Sequence, residues 1–255
     1  MLVAERRELF MDRLRSDRKL VAKDLALELG ISEDSVRRDL RDLAAAGLCQ
    51  RVYGGAVPVS PALADYSART SVEPGSKQRV AAAAAALIQS GDRVILDGGT
   101  TTLAVVRALS PALSATVITH SPTIAAALIE HPRIEILLLG GAVYKHSAVA
   151  CGAAAAEAAR GISADMFLLG VTGVHPREGL TTGDAEEAAM KRTLAGRAAD
   201  TYVLASAEKI GTASAYRVLG LSDVAGVVTD TPADHPVIRE ITDAGVRVIA
   251  AGAEQ

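Results

Sequence analysis

The chain has no tryptophan and only two phenylalanines among 255 residues. Its cores therefore cannot be organised around large rings and have to be filled by the abundant Ala, Val, Leu and Ile. Cysteine is also scarce: Cys49 and Cys151 lie far apart and outside any metal or redox spacing, so a reduced cytoplasmic pair is expected. The five histidines stand singly, and no metal or cofactor is expected. No apolar run approaches the roughly 20 residues of a membrane span. The alanine-rich residues 80–86 are too short, and the opening MLVAERREL lacks the apolar stretch of a secretory signal. A cytoplasmic chain with no membrane partner is the expectation. Charge of one sign is missing too. The net charge is −3, and residues 1–57 hold eleven Lys/Arg against ten Asp/Glu. Any contact with nucleic acid must come from local placement of cations.

Such placement occurs in residues 21–57. Val21, Leu25 and Leu29 recur every four residues and stripe one face of a helix, which Gly30 stops. Ser32 is the natural N-cap of a second helix, with Glu33 and Asp34 in its first turn where the dipole favours acids. Val36, Leu40 and Leu43 form its buried stripe, and Arg37, Arg38 and Arg41 fall outside it. Gly47 closes it. The tail QRVYGGAV can pair back as a wing carrying Arg51 and Tyr53, with Gly54-Gly55 as its bend. This is the layout of a winged helix-turn-helix, whose second helix enters the DNA major groove. On pattern alone, two core helices with solvated arginines remain the competing reading.

Residues 58–75 are rich in Pro, Ser and Ala, with turn signals at both ends, and are expected to be a linker with a short helical turn over 63–69. From residue 76 to 255, apolar runs such as RVIL, TVIT, IEILLL, MFLLG, TYVLA and GVVT alternate with helical stretches over 77–88, 102–109, 123–129, 153–159 and 185–197. That alternation predicts an α/β domain with a mainly parallel sheet flanked by helices. Ligands in such folds bind beyond the carboxyl ends of the strands. There stand Asp97-Gly98-Gly99-Thr100-Thr101-Thr102, Thr119-His120-Ser121, Gly140-Gly141, the run from Gly179 through Thr182 into a helix presenting Lys191, and Ser206-Ala207-Glu208-Lys209. Two glycines and three hydroxyls before a helix have the chemistry of a phosphate cradle, although a plain N-capped turn reads the same way.

The run GISEDSVRRDLRDLAAAGLCQRVYGGAV resembles the N-terminal signature of the DeoR family of bacterial repressors, through Ser32, Ser35, Val36, Arg37, Arg38, Asp39 and Leu40, then Leu43, Gly47 and Gly54-Gly55-Ala56. The second half is similar to the family's effector domain in Asp97 to Thr102, Leu139-Gly140-Gly141 and Gly179 to Ala188. The resemblance implies a fold similar to ribose-5-phosphate isomerase and a phosphorylated-sugar effector. It implies that Gly99, Thr100, Thr101 and Thr102 hold the phosphate and that Asp97, Glu186 and Lys209 face the sugar hydroxyls. Gly98, His120, Ser121, Gly141, Thr182 and Lys191 complete the expected site.

Some positions depart from the family pattern. Ser35 stands for a more usual Thr, and Cys49, Gln50 and Tyr53 for Leu, Val and His. His120 stands for Asn, Thr172 for Asp, and Ala207-Glu208 for Ser-Ser. These changes are expected to tune which sugar fits. Two functions compete: a repressor of sugar-metabolism genes, acting on a double-stranded operator as a symmetric dimer or tetramer, and a sugar-phosphate isomerase. Asp97, Asp184, Glu186 and Lys209 could be cast as the isomerase's base and enediolate stabiliser. The recognition helix favours the regulator. Ser32, Ser35, Arg37 and Arg38 are expected at base edges and flanking phosphates, and Arg41 and Arg51 on the backbone.

Overall fold

The computed structural model describes residues 2–252. The N-terminal part runs α1 (Val3–Ser16), β1 (Leu20–Val21), α2 (Ala22–Leu29), α3 (Glu33–Ala45), β2 (Gln50–Val52) and β3 (Gly55–Val57). Phe10 and Leu14 of α1 meet Leu25, Val36, Leu40 and Leu43 in one buried cluster, so the predicted stripes of α2 and α3 face a common core. Gly30 caps α2 in the left-handed conformation (φ 62°), and the Ser32 hydroxyl accepts from the Ser35 backbone N–H to cap α3. Val21 differs from expectation. It lies in β1, because Leu20 and Val21 pair with Ala56 and Gly55 and the helix begins one residue later.

The wing forms from β2 and β3, in a three-stranded sheet ordered β1-β3-β2. Its bend falls on Tyr53-Gly54 rather than Gly54-Gly55. Gly54 has φ 79°, whereas Gly55 already pairs in β3. Gly55 is needed for space: a Cβ there would lie 1.8 Å from the Leu20 carbonyl oxygen. Gly55→Ala is therefore expected to push β3 off β1 and destabilise the module by about 1–3 kcal/mol. Thermal unfolding reads this directly, and an unchanged midpoint would contradict the close approach.

The larger part comprises α4 (Tyr66–Arg69), α5 (Pro74–Ala85), β4 (Arg93–Leu96), α6 (Thr100–Ala108), β5 (Ala115–Thr119), α7 (Pro122–Leu128) and β6 (Ile134–Leu138). A hairpin of β7 (Ala142–Tyr144) and β8 (Val149–Cys151) follows, then α8 (Ala153–Arg160), β9 (Ala164–Gly170), β10 (Gly173–His175), β11 (Gly179–Thr182), α9 (Ala185–Ala195) and β12 (Ala198–Leu204). The chain ends with β13 (Tyr216–Leu219), β14 (Gly226–Thr229), α10 (Pro236–Asp243) and β15 (Val248–Ala250).

Seven strands form one sheet in the order β15-β14-β12-β9-β4-β5-β6, and every pairing is parallel. Its two faces carry separate cores. Val80, Ala84, Val105, Ile124 and Leu128 cover one face, and Ala155, Ala188, Leu194, Ile238 and Ile241 the other. Small alanines let the helices lie close to the sheet, which compensates for the missing aromatics. Residues 179–182, expected as a turn, are instead β11, paired on both sides in a small antiparallel sheet β10-β11-β13.

The segment 58–75 is not a free tether. Val59 bridges to Ala213, the Ser60 hydroxyl donates to the Thr172 carbonyl, and Ser60, Ala62 and Arg69 are buried. Its backbone finds partners in the larger domain, and α5 starts with Pro74 in its first turn, where proline lacks no needed hydrogen bond.

Candidate functional site

Two surfaces carry the chemistry. The first is the outer face of α3 and the wing. Ser32, Arg37, Arg38, Arg41, Arg51 and Tyr53 are exposed and Ser35 is half-buried, with Tyr53 100% exposed at the wing tip. Arg37 donates to Glu33 at 3.0 Å, so part of its charge is matched along the helix. The Ser32 and Ser35 hydroxyls bond to each other at 2.9 Å. Asp39 points inward, where Arg6 donates to it at 2.6 Å and Arg7 at 3.4 Å, while Arg7 also reaches Asp42. These α1 arginines hold the inward face of α3 at Asp39, and Arg37, Arg38 and Arg41 of α3 face outward. Nothing in the residue pattern of α1 announces that role.

The second surface follows from topology. β4, β5 and β6 run outward on one side of the sheet, and β9, β12, β14 and β15 on the other, so strand order reverses between β4 and β9. That reversal opens a crevice at the carboxyl ends of the strands. The space in and before the crevice, open solvent included, is about 480 Å³, but only about 20 Å³ of it admits the centre of a water molecule, so the interior is narrow. Gly98 to Thr102, Thr172, Thr182, Glu187, Lys191, Glu208 and Lys209 line it, joined by Ala62, Arg69, Val72 and Lys77 from before β4.

The cavity wall is cationic. Arg69, Lys77, Lys191 and Lys209 face it against Glu187 and Glu208. Lys209 donates to the Thr101 hydroxyl at 3.1 Å. Burial pulls its ammonium down to about 8, with Glu208 opposing and Lys77, Arg69 and Lys191 adding to the fall. Burial also lowers Lys77 and Arg69. Arg69 Nε and Glu208 Oε2 are buried and, among the described residues, have no hydrogen-bond partner. Gly99 is the N-cap of α6; its φ of 108° suits glycine, and it provides no side-chain cap. The first N–H groups of α6 therefore remain open to a ligand.

Asp97 closes the floor. It is fully buried and accepts four donors: Gly98 N–H at 2.8 Å, Gly170 N–H at 2.9 Å, His120 Nε2 at 2.8 Å and Lys191 Nζ at 2.5 Å. Burial alone would raise its carboxyl, but Lys191 and the bond from His120 outweigh burial and hold it well below the usual carboxylate range. Burial would likewise lower Lys191, and Asp97 and Glu187 drive it upward instead. Lys191 commits its remaining protons to the Gly170 carbonyl at 2.9 Å and Glu187 at 3.3 Å.

Several expected site residues therefore sit elsewhere. Asp97 has no free lone pair and lies behind the wall, so it cannot face a sugar hydroxyl. His120 and Ser121 are 0% exposed, His120 against Asp97 and Ser121 donating to the Ala148 carbonyl at 2.9 Å. Gly141 lies against Ala155 of α8, 3.0 Å from where its Cβ would be. Glu186 is on the outer face of α9; the carboxylate in the cavity is Glu187, one residue on. Helical phase explains this, because Glu187 and Lys191 are four apart and share the inward face. The spacing Gly-Leu-Thr-Thr-x-Asp-x-x-Glu-Ala already marks Glu187, so that signal was legible. Arg69 and Lys77 went unread because they lie in and just after the expected linker. Among the described residues no cluster of His, Cys, Asp or Glu could hold a metal, and no helix is long and apolar enough to cross a membrane.

A winged helix-turn-helix joined to an α/β sheet with a crevice at its switch point defines the architecture of a DNA-binding transcription regulator with a sensor domain. Residues 6–62 match the family described as the DeoR-like helix-turn-helix domain, and residues 73–231 match the DeoR C terminal sensor domain. The chain belongs to the DeoR family. It is 30% identical to the putative aga operon transcriptional repressor of Escherichia coli O157:H7, across 98% of this chain and 94% of that protein. It is 32% identical to the HTH-type transcriptional repressor GlcR of Bacillus subtilis, across 90% and 89%. Ribose 5-phosphate isomerase A of Methanocaldococcus jannaschii aligns over 52% of each chain with TM-score 0.39 and 18% identity, a likeness of fold alone.

Proposed function

We propose that the chain represses sugar-metabolism genes, and that a phosphorylated sugar in the crevice modulates its binding to a double-stranded operator. The observation that carries the effector half of this reading is the cavity wall, with four cations, two carboxylates and uncapped helix N–H groups at the switch point. Gly99 and Thr100 to Thr102 would take the phosphate through backbone N–H groups, with Lys209 and Arg69 as counter-charges. Glu208, with one unpartnered oxygen, would accept from sugar hydroxyls. Residues 1–57 form the DNA-binding unit, 58–75 the connector and 76–255 the sensor. Because Arg69 belongs to the connector, a ligand touching it bears directly on the link between the two. A symmetric dimer or tetramer would present paired modules to half-sites.

Three of the four residues cast for the isomerase alternative are engaged elsewhere or face away, and only Lys209 lines the crevice. Asp97 is saturated, the Asp184 side chain caps α9 by accepting from the Glu187 N–H, and Glu186 points outward.

Thermal unfolding against phosphorylated sugars, each beside its unphosphorylated parent, tests the reading. A ligand at 100 times its Kd adds about 2.7 kcal/mol, a shift of several degrees. The shift should require the phosphate and vanish in Lys209→Met. If only non-phosphorylated metabolites stabilise the chain, the effector class is wrong. The pH dependence has a definite sign. Above about 8 the free cavity loses the Lys209 proton that an anion needs, so affinity should weaken above that value and be flat only down to about 6, where the phosphate monoester itself takes up a proton. Titration calorimetry across that range would show proton uptake on binding, and its absence would argue against Lys209 as the counter-charge.

A further inference from the structure

His120 follows β5, and its ring is wholly enclosed between β8 and the carboxylate of Asp97. Nδ1 lies 2.8 Å from the Ala150 carbonyl oxygen, and Nε2 lies 2.8 Å from Asp97 Oδ1. A carbonyl oxygen has no proton to give, so Nδ1 carries one and donates it. Asp97 has none either, since Lys191 and two backbone N–H groups stabilise its ionised form. Nε2 therefore donates as well. A ring that donates from both nitrogens is an imidazolium.

The charge has a consequence for the crevice. Asp97 at the end of β4 is the charged group that touches the ring; Lys191 on α9 pairs with Asp97 and with Glu187, and Arg69 at the cavity wall acts on both carboxylates. The Cys151 thiol on β8 is pushed up to about 12 by burial and adds no charge. With His120 protonated, the set Asp97, Glu187, Lys191, Arg69 and His120 carries one positive charge. With His120 neutral, the same set would carry no net charge and would draw an incoming anion to the Gly98 to Thr102 turn less strongly.

We propose that His120 is a buried imidazolium which neutralises Asp97 beneath the Gly98 to Thr102 turn and so keeps that turn receptive to an anionic group. His120 is a positioning residue: it acts through Asp97 and touches no ligand. The inference rests on the anion reading of the crevice, and its test separates the two.

Selective ¹⁵N labelling of the histidines in the full chain reads the ring directly, with the spectrum of His120→Asn assigning one signal among five. Both His120 nitrogens should lie in the protonated range near neutral pH without ligand. One bare nitrogen would overturn the proposal. Sulfate, whose charge is constant near neutral pH, is the probe for the second half. His120→Asn should bind it on the order of tenfold more weakly, the effect of one charge at close range in a partly buried site. Lys209 titrates in both proteins, so the ratio of their affinities isolates His120. Asparagine is the more usual residue here in the resemblance, and His120→Gln is a second neutral substitute should the first unfold. Equal sulfate affinity in a folded variant would overturn the electrostatic role. An imidazolium in a wild-type chain that binds no sulfate would overturn both that role and the anion reading, and would leave only the charge state standing.

Discussion

Asp97→Ala is expected to lower the stability of the sensor domain by about 3–5 kcal/mol, the cost of leaving a buried charge without its partner. The carboxylate is the shared acceptor of two backbone N–H groups, the His120 ring and an ammonium, and the three side chains are buried. Removing it strands Lys191 in particular, whose other contacts are one carbonyl and Glu187. Because Gly98 and Gly170 close β4 and β9 at the switch point, the loss falls where the two halves of the sheet join. Chemical denaturation at neutral pH measures it, and a change below about 1 kcal/mol would show that the network is not a support.

The same residue gives an acid limb with a definite sign. The folded-state carboxyl is depressed, so its stabilisation is fully present above the ordinary carboxylate value of 3.8 and is lost as pH falls below it. The wild-type chain should lose stability through that window, and Asp97→Asn, already destabilised at neutral pH, should lose less there. Melting curves for both at neutral pH and near pH 3–4 give the comparison.

The architecture was legible in the sequence wherever periodicity and punctuation agreed. Val36, Leu40 and Leu43 gave α3 its inner face and Ser32 its start, and the alternation of apolar runs with helices gave the parallel sheet. What stayed hidden was burial behind the strand ends. Asp97 and His120 look like ligand-binding groups because polar residues at strand ends usually meet solvent or ligand. Here they satisfy one another, which a one-dimensional pattern cannot display. Glu186 and Glu187 differ by about 100° of helical turn, and that angle alone decides which carboxylate enters the cavity. Arg69 was hidden by its setting, since a Pro- and Ser-rich segment reads as a tether until its backbone partners, such as Ala213 for Val59, are seen.

Arg38→Ala is expected to weaken operator binding by about 1–3 kcal/mol, roughly 5- to 150-fold, if its guanidinium reads a base edge. Arg38 is exposed near the start of α3, and among the described residues no carboxylate pairs with it, whereas Arg37 is held by Glu33. Arg37→Ala should therefore cost less, because part of its charge is already satisfied along the helix. The α3 core stripe is untouched by either change, so the helical circular dichroism should stay at the wild-type level. Arg41→Ala and Arg51→Ala should behave differently. They should weaken all duplexes alike and each reduce the slope of log affinity against log salt by about 1, the signature of a lost phosphate contact. Fluorescence anisotropy against an operator selected from random duplexes, repeated at several salt concentrations, distinguishes base readers from phosphate clamps. A full-strength Arg38→Ala complex would move the reading residues off α3. A flat salt response would remove the phosphate contacts assigned to Arg41 and Arg51.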